Sequence, residues 1–175
     1  CTVELKKEFV STAKPAWMRL YKVDTKEHVL PDVIAKVGDD LRKDLCVQLV
    51  FRACESFWAA SNETWSLGRP PSVATTQVMA VGPVNGFIEF VKGRTIKEVA
   101  ADNGWKDVDL VKLAPTLVGS MVSGFVLGVR DRHSENWMLL DEHDDPKLMQ
   151  IDFGYMLMEN PGGGFYYLIL RVFFF

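Results

Sequence analysis

The rhythm of apolar and polar positions changes partway along the chain. Residues 16–21 and 32–36 are short, apolar-rich stretches that read as strands, the second leaving through Gly38. From Leu41 the spacing lengthens: Leu41, Leu45, Leu49, Ala53 and Phe57 recur every four residues, flanked by Cys46, Val50, Cys54 and Trp58. That pattern predicts a helix to about residue 60. Residues 62–71 read as a loop, and 76–91 as a hairpin turning at Gly82-Pro83-Val84-Asn85-Gly86. Helical periodicity returns over 95–101 and 108–126. Pro115 interrupts the latter, and its missing N–H suits a first-turn position better than a helix interior. Two short strands, 136–140 and 147–151, close around the polar turn 141–146.

A strand-rich first half, a hinge near residues 91–93 and a helix-rich second half describe an α+β fold of two lobes, residues 1–91 and 92–175. With 175 residues, 48% of them hydrophobic, the chain has apolar material for one ordinary core or two small lobes. A net charge of −3 gives no global attraction to nucleic acid or an anionic bilayer, so no nucleic-acid partner is expected. Three cysteines, Cys1, Cys46 and Cys54, lack metal-ligand spacing and read as reduced core thiols. The longest apolar runs, 117–128 and 165–175, fall short of the roughly 20 residues a spanning helix needs.

The chemistry concentrates in Gly128-Val-Arg-Asp-Arg-His-Ser-Glu-Asn136, followed by Ile151-Asp-Phe-Gly154. Phosphoryl transfer needs a proton acceptor, divalent-metal ligands and cations around the moving phosphate, and this segment holds all three types. Asp131 and Asn136 stand five apart, the spacing of the catalytic Asp and metal-binding Asn in protein kinases. Asp152 opens an Asp-Phe-Gly triplet sixteen residues beyond Asn136 and supplies the second metal ligand of that pattern. The competing account is a polar turn followed by a strand that ends at glycine.

The inverted order Asp-Arg-His resembles the catalytic loop of the phosphatidylinositol 3- and 4-kinase superfamily. Ile34-Ala-Lys-Val-Gly-Asp-Asp-Leu-Arg-Lys-Asp44 is similar to the strand bearing that family's ATP lysine. Ser11-Thr-Ala-Lys-Pro15, ahead of Trp17, resembles its phosphate-covering loop, and Asn85-Gly-Phe-Ile-Glu-Phe-Val91 its hinge. Asp152-Phe-Gly-Tyr-Met-Leu, with Pro161-Gly-Gly beyond, is closer to the 4-kinases than to the 3-kinases. These blocks span roughly residues 9–162 in the family's order.

The resemblance implies a two-lobed protein-kinase-like fold, ATP as phosphate donor, and magnesium, with manganese as second choice. It implies that Lys36 neutralises the α- and β-phosphates, that Ser11 covers the terminal phosphates, and that Asn136 and Asp152 hold the metal. His133 becomes the proton acceptor or a phosphate-stabilising cation, with Asp131 orienting it or sharing the role. Asp44 closes the deep end of the adenine pocket, Ile88 sits behind adenine, and the backbone at Glu89 and Val91 bonds it. Arg132 is assigned a structural role, pairing with a carboxylate beneath the loop. A lysine on a strand is otherwise usually a surface group, which is the alternative for Lys36.

The implied acceptor is phosphatidylinositol at a membrane surface, reached from the cytoplasm by peripheral contact, with regulatory domains or subunits allowed. Between residues 155 and 175 the sole cation is Arg171, which favours the unphosphorylated headgroup and 4-kinase chemistry, with 3-kinase chemistry next. A protein hydroxyl as acceptor, or an inactive nucleotide-binding fragment, remain the alternatives. Only residues 92–127 separate hinge from catalytic loop, which predicts a pared-down lower lobe. After Gly164 the chain reads Phe-Tyr-Tyr-Leu-Ile-Leu-Arg-Val-Phe-Phe-Phe and ends, so an incomplete carboxyl-terminal lobe is expected.

Overall fold

The computed structural model describes residues 1–9, 15–28, 31–141 and 143–157. Ser11 and the apolar run after Gly164 lie outside them. Helices and antiparallel sheets occupy separate stretches of chain, an α+β arrangement. The chain divides into two compact units, the first formed from 1–48 and 76–92, the second from 49–75 and 93 onward.

In the first unit, β1 (Thr2–Glu8), β2 (Ala16–Tyr21), β3 (Val33–Val37), β4 (Val78–Ala80) and β5 (Asn85–Glu89) form a sheet in the order β1-β2-β3-β5-β4, antiparallel throughout. The sequence pattern did not announce β1. Its two apolar side chains, Val3 and Leu5, are both exposed, and the remainder is mostly charged. Charge on an edge strand discourages pairing with another chain, and it also hides the strand from a hydrophobic reading. Gly86 on β5 is required by space: a Cβ there would stand 2.8 Å from the Leu41 side chain and overlap the Met79 carbonyl oxygen.

Helix α1 (Arg42–Ala60) forms where the periodicity put it, but its inward face differs. Leu41, Asp44, Val47, Gln48 and Phe51 are buried, while Leu49 and Phe57 are 55% and 74% exposed. The reason is the pitch. At 3.6 residues per turn, a step of four overshoots by about 40°, so a series started at Leu41 has drifted to the opposite side by Phe57. Cys46, five residues past Leu41 and so about 140° around the helix, is exposed, and the expectation of core thiols is corrected: all three cysteines are free, Cys1 and Cys46 are exposed, and Cys54 is partly covered.

The second unit holds β6 (Arg94–Thr95), α2 (Ile96–Ala101), a 3₁₀ turn (Gly104–Asp107), α3 (Leu110–Val126), β7 (Trp137–Leu140) and β8 (Lys147–Gln150). The three strands form an antiparallel sheet in the order β6-β7-β8. Val99, Val108, Leu113, Leu139 and Leu148 make its core, with Ile96, Trp105 and Trp137 packed against them. Helix α3 begins at the Asp109 cap, whose carboxylate accepts from the amides of Val111 and Lys112. Pro115 therefore lies inside the helix, which corrects the first-turn expectation. Its fully buried ring is accommodated there, and its carbonyl accepts a hydrogen bond from the Ser72 amide at 3.1 Å.

The buried side of α3 is built of small residues, Thr116, Gly119, Ser120, Ser123 and Gly124. They allow close approach: the Thr116 hydroxyl accepts from the Leu148 amide at 2.9 Å, and Gln150 Nε2 donates to the Ser120 carbonyl at 2.6 Å. Strand β8 is thus tied to α3 by polar bonds at Leu148 and Gln150. No described helix is long and apolar enough to cross a membrane.

Candidate active site

The β7–β8 hairpin brings the two motif segments together. Trp137 pairs with Gln150, so the residue before β7 and the residue after β8 are neighbours, and the Ile151 amide donates to the Asn136 carbonyl at 3.1 Å. Asn136 and Asp152, sixteen apart in sequence, come together because a hairpin of two four-residue strands folds back on itself. Beyond Asp152 the chain returns alongside the loop's start. Arg130 N–H donates to the Tyr155 carbonyl at 2.9 Å, and Leu157 N–H to the Leu127 carbonyl at 3.1 Å.

Inside the loop, Asn136 is 6% exposed, and its Nδ2 donates to the Asp131 carbonyl at 2.7 Å. That bond fixes the amide's orientation and leaves Oδ1 as its acceptor end. The Asn136 amide in turn donates to the His133 carbonyl at 3.0 Å. His133 Nδ1 accepts the Glu135 amide proton at 3.2 Å, so the neutral ring carries its proton on Nε2, which lies 4.0 Å from Oδ2 of Asp131. Both side chains are open to solvent, at 50% and 37% exposure. Helix α2 braces this stretch: Lys97 N–H donates to the Ser134 carbonyl at 3.1 Å, and Lys97 Nζ pairs with Glu135 at 2.8 Å. The pair holds the Glu135 carboxyl below its ordinary range and raises the Lys97 ammonium. The α2 end that supplies these contacts is fixed by a capping box between Thr95 and Glu98.

Arg132 fastens the loop from below. Its guanidinium donates to the carbonyls of Arg130 at 2.8 Å, Asn136 at 3.4 Å and Ile151 at 2.7 Å, and to that of Asp152. The planar fork reaches both motif segments at once, which a single ammonium could not do. It also stands 5.4 Å over the Phe153 ring. Phe153, 1% exposed, meets Phe51 of α1 edge to face at 5.8 Å. Phe51 and Lys97 therefore support the site although neither belongs to a motif.

Asp131 and Asp152 both have positive φ, 57° and 60°. Left-handed backbone is uncommon outside glycine and is tolerated best by Asn and Asp, whose short polar side chains bond locally. Asp152 shows this, Oδ1 accepting from the Gly154 amide at 3.4 Å.

Lys36, Asp44, Ile88, Glu89 and Val91 belong to the first unit. Lys36 Nζ pairs with Asp39 at 2.9 Å, and 16% of its side chain is exposed. Asp44 is buried in the first turn of α1. Glu89 N–H donates to the Gln77 carbonyl at 2.9 Å, and its carbonyl accepts from the Thr76 hydroxyl at 3.0 Å. Phe90 N–H donates to the Asp32 carbonyl at 2.7 Å. Among the described residues nothing bonds the amide or carbonyl of Val91, the next residue.

The donors at the hairpin ends suit a hard divalent ion. A carboxylate and an amide oxygen are magnesium ligands, and Mg²⁺ is usually bound by one or two protein groups, keeping water and phosphate for the rest. The described residues contain no cluster of three or more metal-ligating His, Cys, Asp or Glu.

Residues 112–167 match the family model described as phosphatidylinositol 3- and 4-kinase. The chain is 26% identical over 151 residues to a probable phosphatidylinositol 4-kinase STT4 homolog of Encephalitozoon cuniculi, covering 76% of this chain and 10% of that protein. It is 30% identical over 148 residues to phosphatidylinositol 3-kinase VPS34 of Saccharomyces cerevisiae, covering 72% and 15%. It is also 30% identical over 149 residues to phosphatidylinositol 4-kinase beta 1 of Arabidopsis thaliana, covering 77% and 13%. The chain thus spans a small fraction of the length of these relatives, and both kinds of kinase stand among them.

Proposed function

The chain belongs to the phosphatidylinositol 3- and 4-kinase family, and on that premise we propose that it transfers the γ-phosphoryl group of ATP to an inositol hydroxyl of phosphatidylinositol. The observation that carries the proposal is the bonded set Asp131, Arg132, His133, Asn136 and Asp152, held at the open ends of the β7–β8 hairpin. In this reading the two units are the lobes of a protein-kinase-like fold. Lys36 grips the nucleotide phosphates, shifting from Asp39 to do so, and Ser11 covers them. Asp44 and Ile88 line the adenine site, and the Val91 backbone bonds the base beside Glu89. Asn136 and Asp152 hold magnesium, which neutralises charge on the transferring phosphate.

The Glu135 amide on His133 Nδ1 supports one division of the remaining roles. With its proton on Nε2, His133 is a donor for the phosphate oxygens, and Asp131 is the acceptor for the attacking hydroxyl's proton. The fourth-position hydroxyl is preferred over the third because Asp152-Phe-Gly-Tyr-Met-Leu resembles the 4-kinases more than the 3-kinases, and the single cation between residues 155 and 175, Arg171, suits an unphosphorylated headgroup. Such an enzyme works on the cytoplasmic face of a membrane by peripheral contact.

The test is phosphate transfer from labelled ATP with magnesium, to phosphatidylinositol vesicles on one side and a serine-containing peptide on the other. Transfer to lipid alone is expected, abolished in Asp152→Asn while thermal stability is kept. Transfer to peptide alone, or no stabilisation of the chain by magnesium and ATP, overturns the proposal.

A further inference from the structure

At one end of the five-stranded sheet sits a carboxylate with no part in phosphate or metal chemistry. Asp32 is 8% exposed. It accepts from Trp17 Nε1 at 2.9 Å and from Arg19 Nε and Nη2 at 2.7 and 2.6 Å, while His28 Nε2 stands 3.1 Å from its Oδ1. A buried carboxylate is tolerated only when its oxygens are this fully engaged, and the forked contact from Arg19 is the strongest form available. Arg19 holds the Asp32 carboxyl down at about 2.

What the carboxylate grips leads to the hinge. The Trp17 indole lies flat on the Phe90 ring, centroids 4.3 Å apart and planes 7° from parallel. The Phe90 amide donates to the backbone carbonyl of Asp32 itself. Regular pairing of β3 with β5 ends at Val33 and Glu89, so Asp32 and Phe90 are the first residues past the ladder. Side chain and main chain of one residue thus fix the Phe90 ring and the Phe90 backbone, and Val91 follows.

We propose that Asp32 is a positioning residue for adenine: through Trp17 and the Phe90 amide it sets where the unbonded amide and carbonyl of Val91 are presented. The inference rests on the reading of residues 89–91 as the nucleotide hinge. A preset hinge binds without paying to order itself, so removing the clamp weakens binding of the base and leaves the phosphate contacts alone.

The experiment uses the whole chain and three probes: magnesium-ATP, adenosine and tripolyphosphate, titrated calorimetrically, with amide exchange followed by NMR. Asp32→Asn is expected to weaken ATP and adenosine by the same factor, about tenfold, and tripolyphosphate by less than about twofold. Exchange at Phe90 quickens, while that at Glu89, bonded to Gln77, is unchanged. Trp17→Phe keeps an aromatic ring to stack on Phe90 while removing the indole N–H and the ring that bears it, and is expected to weaken adenosine about threefold. It decides the matter should Asp32→Asn lose amide protection throughout. Unchanged adenosine affinity in a folded Asp32→Asn, or in Trp17→Phe, overturns the inference. Wild-type chain that binds tripolyphosphate and not adenosine overturns the hinge reading beneath it.

Discussion

Arg132→Lys keeps the charge and removes the fork, so it isolates what the guanidinium geometry contributes. Arg132 reaches four carbonyls from three nitrogens, while a lysine ammonium is a single point. At least two charge-assisted bonds are lost, each contributing about 1.5–3 kcal/mol. The site is half-buried and water can partly replace the lost donor, so the lower figure applies, giving about 3 kcal/mol in total. Part of that loss falls on the left-handed Asp131 and Asp152, which relax once their flanking carbonyls are released. If the whole amount bears on the transition state, turnover falls about a hundredfold, at 1.36 kcal/mol per factor of ten. The expected kcat for lipid phosphorylation is therefore down about 10- to 100-fold. ADP affinity by calorimetry stays within about threefold, and Tm drops about 6–12 °C. Wild-type kcat in Arg132→Lys refutes the reasoning. So does ADP affinity that falls in step with kcat, since the arginine would then act on nucleotide binding.

Three further outcomes are expected. Gly119→Ala should destabilise the chain by about 1–3 kcal/mol despite alanine's better helix propensity, because the new Cβ would stand 2.7 Å from the Ser72 carbonyl carbon and overlap its oxygen; an unchanged or raised Tm contradicts the close approach. Asp32 has a folded pKa of about 2, below the unfolded value, so its stabilisation is complete above about pH 4 and is lost as pH falls toward 2. The Tm gap between wild type and Asp32→Asn should be constant above pH 5 and close below pH 4, and a gap that widens on acidification reverses the assigned sign. Thr95→Ala removes one half of the α2 capping box and should cost about 1 kcal/mol, read as a Tm loss of about 2–4 °C; no loss shows that the cap is dispensable.

The motif residues were legible because their chemistry is local: Asp131, His133 and Asn136 lie within six residues, and the β7–β8 hairpin is announced by a polar turn between two apolar runs. What escaped depends on contacts distant in sequence. Phe51 read as one of many apolar residues on α1, and only the fold shows that it backs Phe153. Asp32 read as the start of a strand, with nothing local to indicate that Trp17, Arg19 and Phe90 would converge on it. The four-residue series on α1 does not track its buried face because a step of four and a helical turn differ by a fraction of a residue that accumulates. Strand β1 was missed because an edge strand guards itself with charge, erasing the pattern by which strands are recognised. Pro115 misled in the opposite sense: a residue that usually marks a beginning is here enclosed among packed neighbours.

The positive φ at residues 131 and 152 narrows the choice of acid before any ion arrives. Glutamate has the same head group and would serve a cation equally well, but its longer stem cannot fold back to bond its own main chain. It gains nothing from a left-handed turn. Glycine accepts the turn and brings no oxygen; asparagine accepts it and brings no charge. Conformation and chemistry intersect at a single member of the amino-acid alphabet, so a search for variants that keep turnover should return aspartate at both places, even where the screen selects on charge alone.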